Sequence, residues 1–216
     1  YPILFLLLLF LAACDSQQTS EEESSLDGLG TAGVEITTPF SSSSTTENGG
    51  TVSTKVRLKS APLSPVTITL NSSDTQEGTV SPTVLTFNKD NWDSYVSIIV
   101  TGVDDDIADG SQSYEIQIAS VVSEDSKYSA LNGQINPIKL QNEDDEIKAI
   151  VLGSLSGDTT EAGGNATFSV KLASKPIEAV SIPIISTDTS EGTVSVSSLS
   201  FDNSNYNTVQ TVTVNG

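Results

Sequence analysis

Apolar residues recur at every second position through much of the chain. Val52, Val56 and Leu58, with Thr54 in step, read as one face of a strand, and Val66, Ile68 and Leu70 repeat the pattern. Tyr114, Ile116 and Ile118 form a third such row, and Leu85 with Phe87 starts another face, matched later by Leu199 and Phe201. A period of two is the signature of a strand that buries one face and wets the other. Clusters of Gly, Pro, Asn, Asp and Ser interrupt these rows roughly every 8–12 residues, as turns do in an all-β domain. No 3.6-residue apolar period appears after residue 14. Trp92, with Tyr206 later in the chain, is expected at a corner of the core.

The pattern occurs twice. Residues 51–102 align without a gap to residues 165–216, and 19 of the 52 positions are identical. The clearest block sets Ser73-Asp74-Thr75-Gln76-Glu77-Gly78-Thr79-Val80-Ser81 against Thr187-Asp188-Thr189-Ser190-Glu191-Gly192-Thr193-Val194-Ser195. Upstream, Glu47-Asn48-Gly49-Gly50 matches Glu161-Ala162-Gly163-Gly164. Self-similarity at a fixed offset marks a repeat architecture. The expected fold is therefore all-β, with tandem Ig-like antiparallel β-sandwiches of about 110 residues each. The first repeat is placed at residues 34–146. The second starts at 147 and is expected to be truncated at 216, about 40 residues short of a full unit by comparison with the first.

The N-terminus has a different character. Residues 3–13 are an unbroken apolar run ending in Leu11-Ala12-Ala13-Cys14. A helical bilayer span takes about 20 residues, so this run is too short for one. It has the size of the apolar core of a secretory signal. It resembles the lipobox of bacterial lipoproteins, with the only Cys of the chain at its end. The resemblance implies cleavage before Cys14 and acylation of its thiol and new amine, and two or three acyl chains anchor a protein firmly. Residues 1–13 are thus read as a signal peptide lacking its basic leader, and residues 14–33, polar and acidic, as a flexible tether.

Composition narrows the chemistry. Hydrophobic residues make up 36% of the chain, against about 45–50% in an average globular protein, which suits short strands and many polar turns. The net charge of −19, from 28 acids against 9 bases, repels phosphate backbones and argues against nucleic-acid partners. There is no His, which removes His-based triads and the common zinc sites. A single Cys allows no intrachain disulfide. No nucleophile elbow, phosphate loop or metalloprotease motif is present, so an enzyme is not expected.

The acids are concentrated. Asp104-Asp105-Asp106-Ile107-Ala108-Asp109-Gly110 follows one strand, and Asn142-Glu143-Asp144-Asp145-Glu146 closes the first repeat. Adjacent carboxylates repel unless a cation offsets them or water solvates them, so these stretches read either as ligands or as solvated turns. The string "EGTVSP…LTF…NW…VTGVDDDIADG…Y", followed by "NEDDE", resembles the Calx-β domain over nearly all of the first repeat and two-thirds of the second. The resemblance implies a sandwich that binds Ca²⁺ at one end. The implied ligands are Glu47, Asp74, Asp104, Asp105, Asp106, Asp109, Asp144 and Asp145; in the second repeat Glu161 and Asp188 match. Ile107-Ala108 stands where sensing members carry further acids, which implies affinity in the weak range of extracellular modules. The functional expectation is a non-enzymatic lipoprotein of the bacterial envelope, on the outer membrane or cell surface, held by its lipid at Cys14. Its repeats would bind Ca²⁺ and act in adhesion or protein interaction. A passive spacer presenting a distal domain is the alternative.

Overall fold

The computed structural model describes residues 30–37 and 43–216. The signal-like run, Cys14 and residues 14–29 of the tether lie outside the described residues. Ala32 packs against the core of the first repeat, and Lys59 donates to the Gly33 carbonyl at 2.9 Å.

The first repeat runs β1 (Val34–Ile36), β2 (Ser44–Thr46), β3 (Thr51–Leu58), β4 (Val66–Ser72), β5 (Gly78–Ser81), β6 (Val84–Phe87), β7 (Val96–Gly102), β8 (Gln112–Val122), a short helix α1 (Ser126–Ser129) and β9 (Ile138–Glu143). One sheet has the order β1-β3-β7-β5 and the other β2-β9-β8-β4-β6. The inward rows of the two sheets meet in one core. Leu58, Val66, Ile68, Phe87, Ile98 and Ile116 are each 0% exposed. Fully burying side chains of this kind stabilises by roughly 1.5–3 kcal/mol each. The alternation read from the sequence is the burial observed, for instance exposed and buried in turn along most of β3.

Two details depart from a plain antiparallel sandwich. The β2–β9 pairing is parallel, Thr45 opposite Asn142, while every other ladder of the repeat is antiparallel. The incoming chain changes sheets between β1 and β2, so β2 runs beside the last strand in the same sense. The β4–β8 ladder also shifts register between Thr69 and Leu70. Ala119 is the additional residue on β8, and a bulge of this kind turns the following side chains to the other face. Ile118 is consequently only partly buried, and Val121 is the buried residue beyond it.

The second repeat repeats the order with β10 (Ile150–Leu152), β11 (Asn165–Leu172), β12 (Val180–Pro183), β13 (Thr193–Val194), β14 (Ser198–Phe201) and β15 (Gln210–Asn215). Its sheets are β10-β11-β15-β13 and β12-β14. A separate core gathers Val170, Leu172, Leu199, Phe201 and Val212. Trp92 and Tyr206 hold the same post in both repeats: each carbonyl accepts the N–H of the last residue of the long strand, Leu58 at 2.9 Å and Leu172 at 2.8 Å. The tandem all-β sandwich expected from the alternation is therefore the observed architecture.

Candidate metal centre

One pole of the first sandwich collects the carboxylates. It begins with a local turn. Gly49 N–H and Gly50 N–H donate to the Thr46 carbonyl at 3.0 and 3.1 Å, and the Thr46 hydroxyl donates to Asn48 at 2.5 Å. Gly49 sits at φ 84, a conformation natural to glycine and strained for other residues. This turn aims Glu47 inward, and its N–H donates to the Glu143 carbonyl of β9 at 3.0 Å. Glu47 is only 3% exposed.

The acidic turn after β7 reaches the same pole. Asn142, fully buried on β9, donates through Nδ2 to the Val103 carbonyl at 2.8 Å and accepts the Thr45 hydroxyl at 2.9 Å. Gly102 lies so close to the Thr46 carbonyl and Asn142 Oδ1 that a Cβ there would overlap both. Gly110 N–H donates to Asp144 Oδ2, and Glu146 N–H donates to Asp144 Oδ1 at 2.8 Å. Residues 104–110 and 142–146 are thereby tied to each other and to the Glu47 turn.

Glu47, Asp145 and Glu146 each offer a carboxylate oxygen, all within 4.8 Å of one another. Ca²⁺ takes oxygen ligands at about 2.3–2.6 Å, so opposite ligands stand about 5 Å apart, and three oxygens at this separation fit around one ion. Glu47 Oε2 and Glu146 Oε2 are buried without a hydrogen-bond partner. Buried polar oxygens are ordinarily satisfied. The orphaned pair, in a cluster of like charge, is what a hard cation would satisfy, and the donor set is all oxygen. Among the described residues the ion pairs are Arg57–Glu35, Lys89–Asp90 and Lys139–Glu115, none of which involves this cluster.

The electrostatics agree with crowding. Burial, followed by the Glu146 carboxyl and the charges of Asp144 and Asp105, pushes the Glu47 carboxyl up to about 8. Glu146 is also raised, chiefly by burial. Burial acts to raise Asp144 as well, but the N–H groups of Gly110 and Glu146 more than offset it, and the net shift is downward. Beside this group, Glu77 is raised by burial and by the charges of Asp109, Asp74 and Asp105, while the Asn142 amide pulls it the other way.

The structure thus sorts the implied ligands. Glu47 and Asp145 meet, with Asp144 and Asp105 close enough for their charges to act on Glu47. Asp105 Oδ1 also accepts Ile107 N–H at 2.6 Å. Asp74 and Asp109 are not among the three grouped carboxylates; their charges act on Glu77, and Asp74 Oδ1 accepts Gln76 N–H at 2.9 Å. Asp104 is exposed and is not among the three grouped carboxylates. Asp106 faces the second repeat, where burial and then the Asp106 carboxylate push the Tyr206 phenol up and the Asp106 carbonyl accepts Lys175 N–H at 2.7 Å. Glu146 and Glu77 were not among the expected ligands. Glu146 ends the acidic run 143–146, and Glu77 recurs as Glu191 in the repeated block, so both carried a signal in the sequence. In the second repeat Glu161 occupies the same Thr-Glu-x-Gly-Gly turn but is exposed.

A scan of protein-family models finds no match to the chain, and a search of curated proteins finds none either. Among solved structures, the chain is similar to WR4, a C. elegans MSP family member, at 10% identity and TM-score 0.30, over 52% of this chain and 96% of that one. It is similar to the YadV chaperone at 14% identity and TM-score 0.33, over 85% of each chain. Domains 5-6 of the S-layer protein SbsC align at 15% identity and TM-score 0.27, over 85% of this chain and 84% of that one. The sandwich fold rests on the chain's own strand pairing, and the function is argued from the site.

Proposed function

We propose that the first repeat is a calcium-binding β-sandwich module of a non-enzymatic lipoprotein, related to Calx-β domains. The observation that carries this reading is the pair of buried, partnerless oxygens of Glu47 and Glu146 facing Asp145 at one pole. Glu47, Asp145 and Glu146 are the core ligands, with Asp105 and Asp144 adding charge nearby. Glu47 is buried and Glu146 half-buried while Asp145 stays exposed; holding the two inward carboxylates charged without a cation is costly, so an ion that satisfies them stabilises the folded repeat by mass action.

The same pole abuts the second repeat through Asp106, Tyr206 and Lys175. Calcium there orders the junction between repeats, and the stiffened array presents its surfaces to envelope or extracellular protein partners. Acylation at Cys14 holds it on the bacterial envelope, at the outer membrane or cell surface. The acidic balance of the chain supports partners other than nucleic acid.

The test is a melting curve of the chain with calcium titrated into the millimolar range. The midpoint rises with calcium, and Glu47→Gln removes the rise. A midpoint indifferent to calcium overturns the metal reading and leaves a passive spacer.

A further inference from the structure

Lys55, Arg57 and Lys59, three of the chain's 9 bases, stand at alternate positions along β3 and just past its end. Thr54, Val56, Leu58 and Ser60 between and beside them are buried, so the three bases share the outward face of the β1-β3-β7-β5 sheet. Ser97 of β7 lies opposite Lys55, and Glu35 of β1 lies opposite Arg57. Arg57 is already engaged: it pairs with Glu35 at 2.9 Å, and its guanidinium lies 4.6 Å from the centre of the Tyr95 ring. Lys55 and Lys59, on either side of it, are exposed, and among the described residues neither makes an ion pair. At about 3.3 Å per residue they stand about 13 Å apart along the strand.

The chain enters the sandwich at the Lys59 end of this row. Gly33 accepts the Lys59 N–H at 2.9 Å, and Gly30 sits beside Ser60 and the Lys59 carbonyl. The residues just before it, Glu21-Glu22-Glu23-Ser24-Ser25-Leu26-Asp27-Gly28-Leu29, lie outside the described residues. Gly28 gives the backbone the freedom to reverse direction there. In an extended segment Asp27 and Glu23 are also about 13 Å apart, with both side chains on one side. That matches the spacing of Lys59 and Lys55, and it leaves the neutral Ser25 over Arg57, whose charge Glu35 already offsets. A net charge of −19 makes the other faces of the chain poor hosts for an acidic segment.

We infer that the acidic tether docks back over this row of the first repeat, Asp27 on Lys59 and Glu23 on Lys55. Attachment at Gly30 keeps the two within reach, so the tether's effective concentration exceeds that of a separate anion. Exposed ion pairs are individually weak and are screened by salt, so the docked tether exchanges with a free one. Docking draws residues 21–29 onto the sandwich and shortens the reach of the tether; rising ionic strength releases it.

The probe is a nitroxide at Ser24→Cys in the full chain carrying Cys14→Ser, held in neutral detergent and read by relaxation enhancement of its ¹⁵N-labelled amides. At about 0.01 M salt, where the Debye length is about 30 Å, Lys55, Arg57 and Ser97 are expected to broaden several-fold more than Thr67 and Thr86 on the outer face of the other sheet. At about 1 M salt the difference disappears. Lys55→Glu with Lys59→Glu abolishes it, and so does Glu23→Lys with Asp27→Lys. All four together restore it, because exchanged charges attract again only if those groups meet. Three outcomes overturn the inference. The first is no enhancement at low salt; shifts at Lys55 and Lys59 on adding phosphatidylglycerol to the micelles then assign the row to a lipid surface. The second is an enhancement indifferent to salt or to either charge reversal. The third is an enhancement that persists with the nitroxide on one chain and ¹⁵N on another, which assigns the row to a second copy.

Discussion

On the proposed calcium-binding reading, acidifying the solution from pH 8 to pH 6 is expected to weaken binding by the first repeat about fifty-fold. The Glu47 carboxyl, pushed up to about 8, is half ionised at pH 8 and about one-hundredth ionised at pH 6. Calcium needs the ionised form, so its apparent affinity follows that fraction, a change of about 2 kcal/mol. Glu146, also raised, acts in the same direction, while Asp144, lowered, stays ionised throughout. At pH 6 to 7 nearly one proton leaves for each ion bound. Calorimetric titrations at pH 6, 7 and 8, each in two buffers of different ionisation enthalpy, read both quantities. The sign for the ion-free chain is fixed by the same shift. Between about 4.5 and about 8 the folded state holds a proton that the unfolded state has released, so stability falls as pH rises through that window. Glu47→Gln keeps the shape, removes the proton, and flattens this slope in the absence of calcium. An affinity that changes less than about threefold between pH 6 and 8, with no proton release, would refute the reasoning, because a carboxyl at its ordinary value is fully ionised at both.

Asp145→Asn weakens calcium binding by at least about tenfold, since affinity in oxygen sites follows ligand charge, whereas Asp106→Asn, which faces Tyr206, changes it by less than about twofold; calorimetry separates the two. Gly102→Ala forces a methyl group against the Thr46 carbonyl and Asn142 and lowers stability by about 1–3 kcal/mol, read by urea unfolding. Tyr128→Phe strips the hydroxyl from the buried Ser60 loop and costs about 1–3 kcal/mol, again by urea unfolding, while calcium affinity at the opposite acidic group is unchanged.

The sandwich was legible because alternation and burial are the same fact. Val66, Ile68 and Leu70 point inward wherever that strand is paired, since a strand turns successive side chains to opposite faces. The gapless repeat likewise made β3 with β11 and β6 with β14 predictable at the same offset. The bulge at Ala119 was not legible. It depends on how β8 pairs with β4 and leaves no local mark beyond ordinary strand residues. The candidate site was legible in kind and only partly in detail. Acid-rich stretches at 104–109 and 143–146 announced a charged pole, but which carboxylates meet depends on side-chain direction: Asp106 turns to the next repeat and Glu146 turns in.

The paired turns divide the two contributions most clearly. Thr46–Gly50 and Thr160–Gly164 close with the same main-chain bonds, and Gly49 and Gly163 share a positive φ of 84 and 86. Short-range sequence determined that much, because a tight turn is settled by the residues within it. Whether the glutamate in the turn is buried among other carboxylates was decided only in three dimensions. Glu47 is buried because β9 runs beside it and brings Asp144, Asp145 and Glu146 over it. Burial and the summed field of distant carboxylates belong to the folded arrangement, and no local stretch of chain encodes them alone.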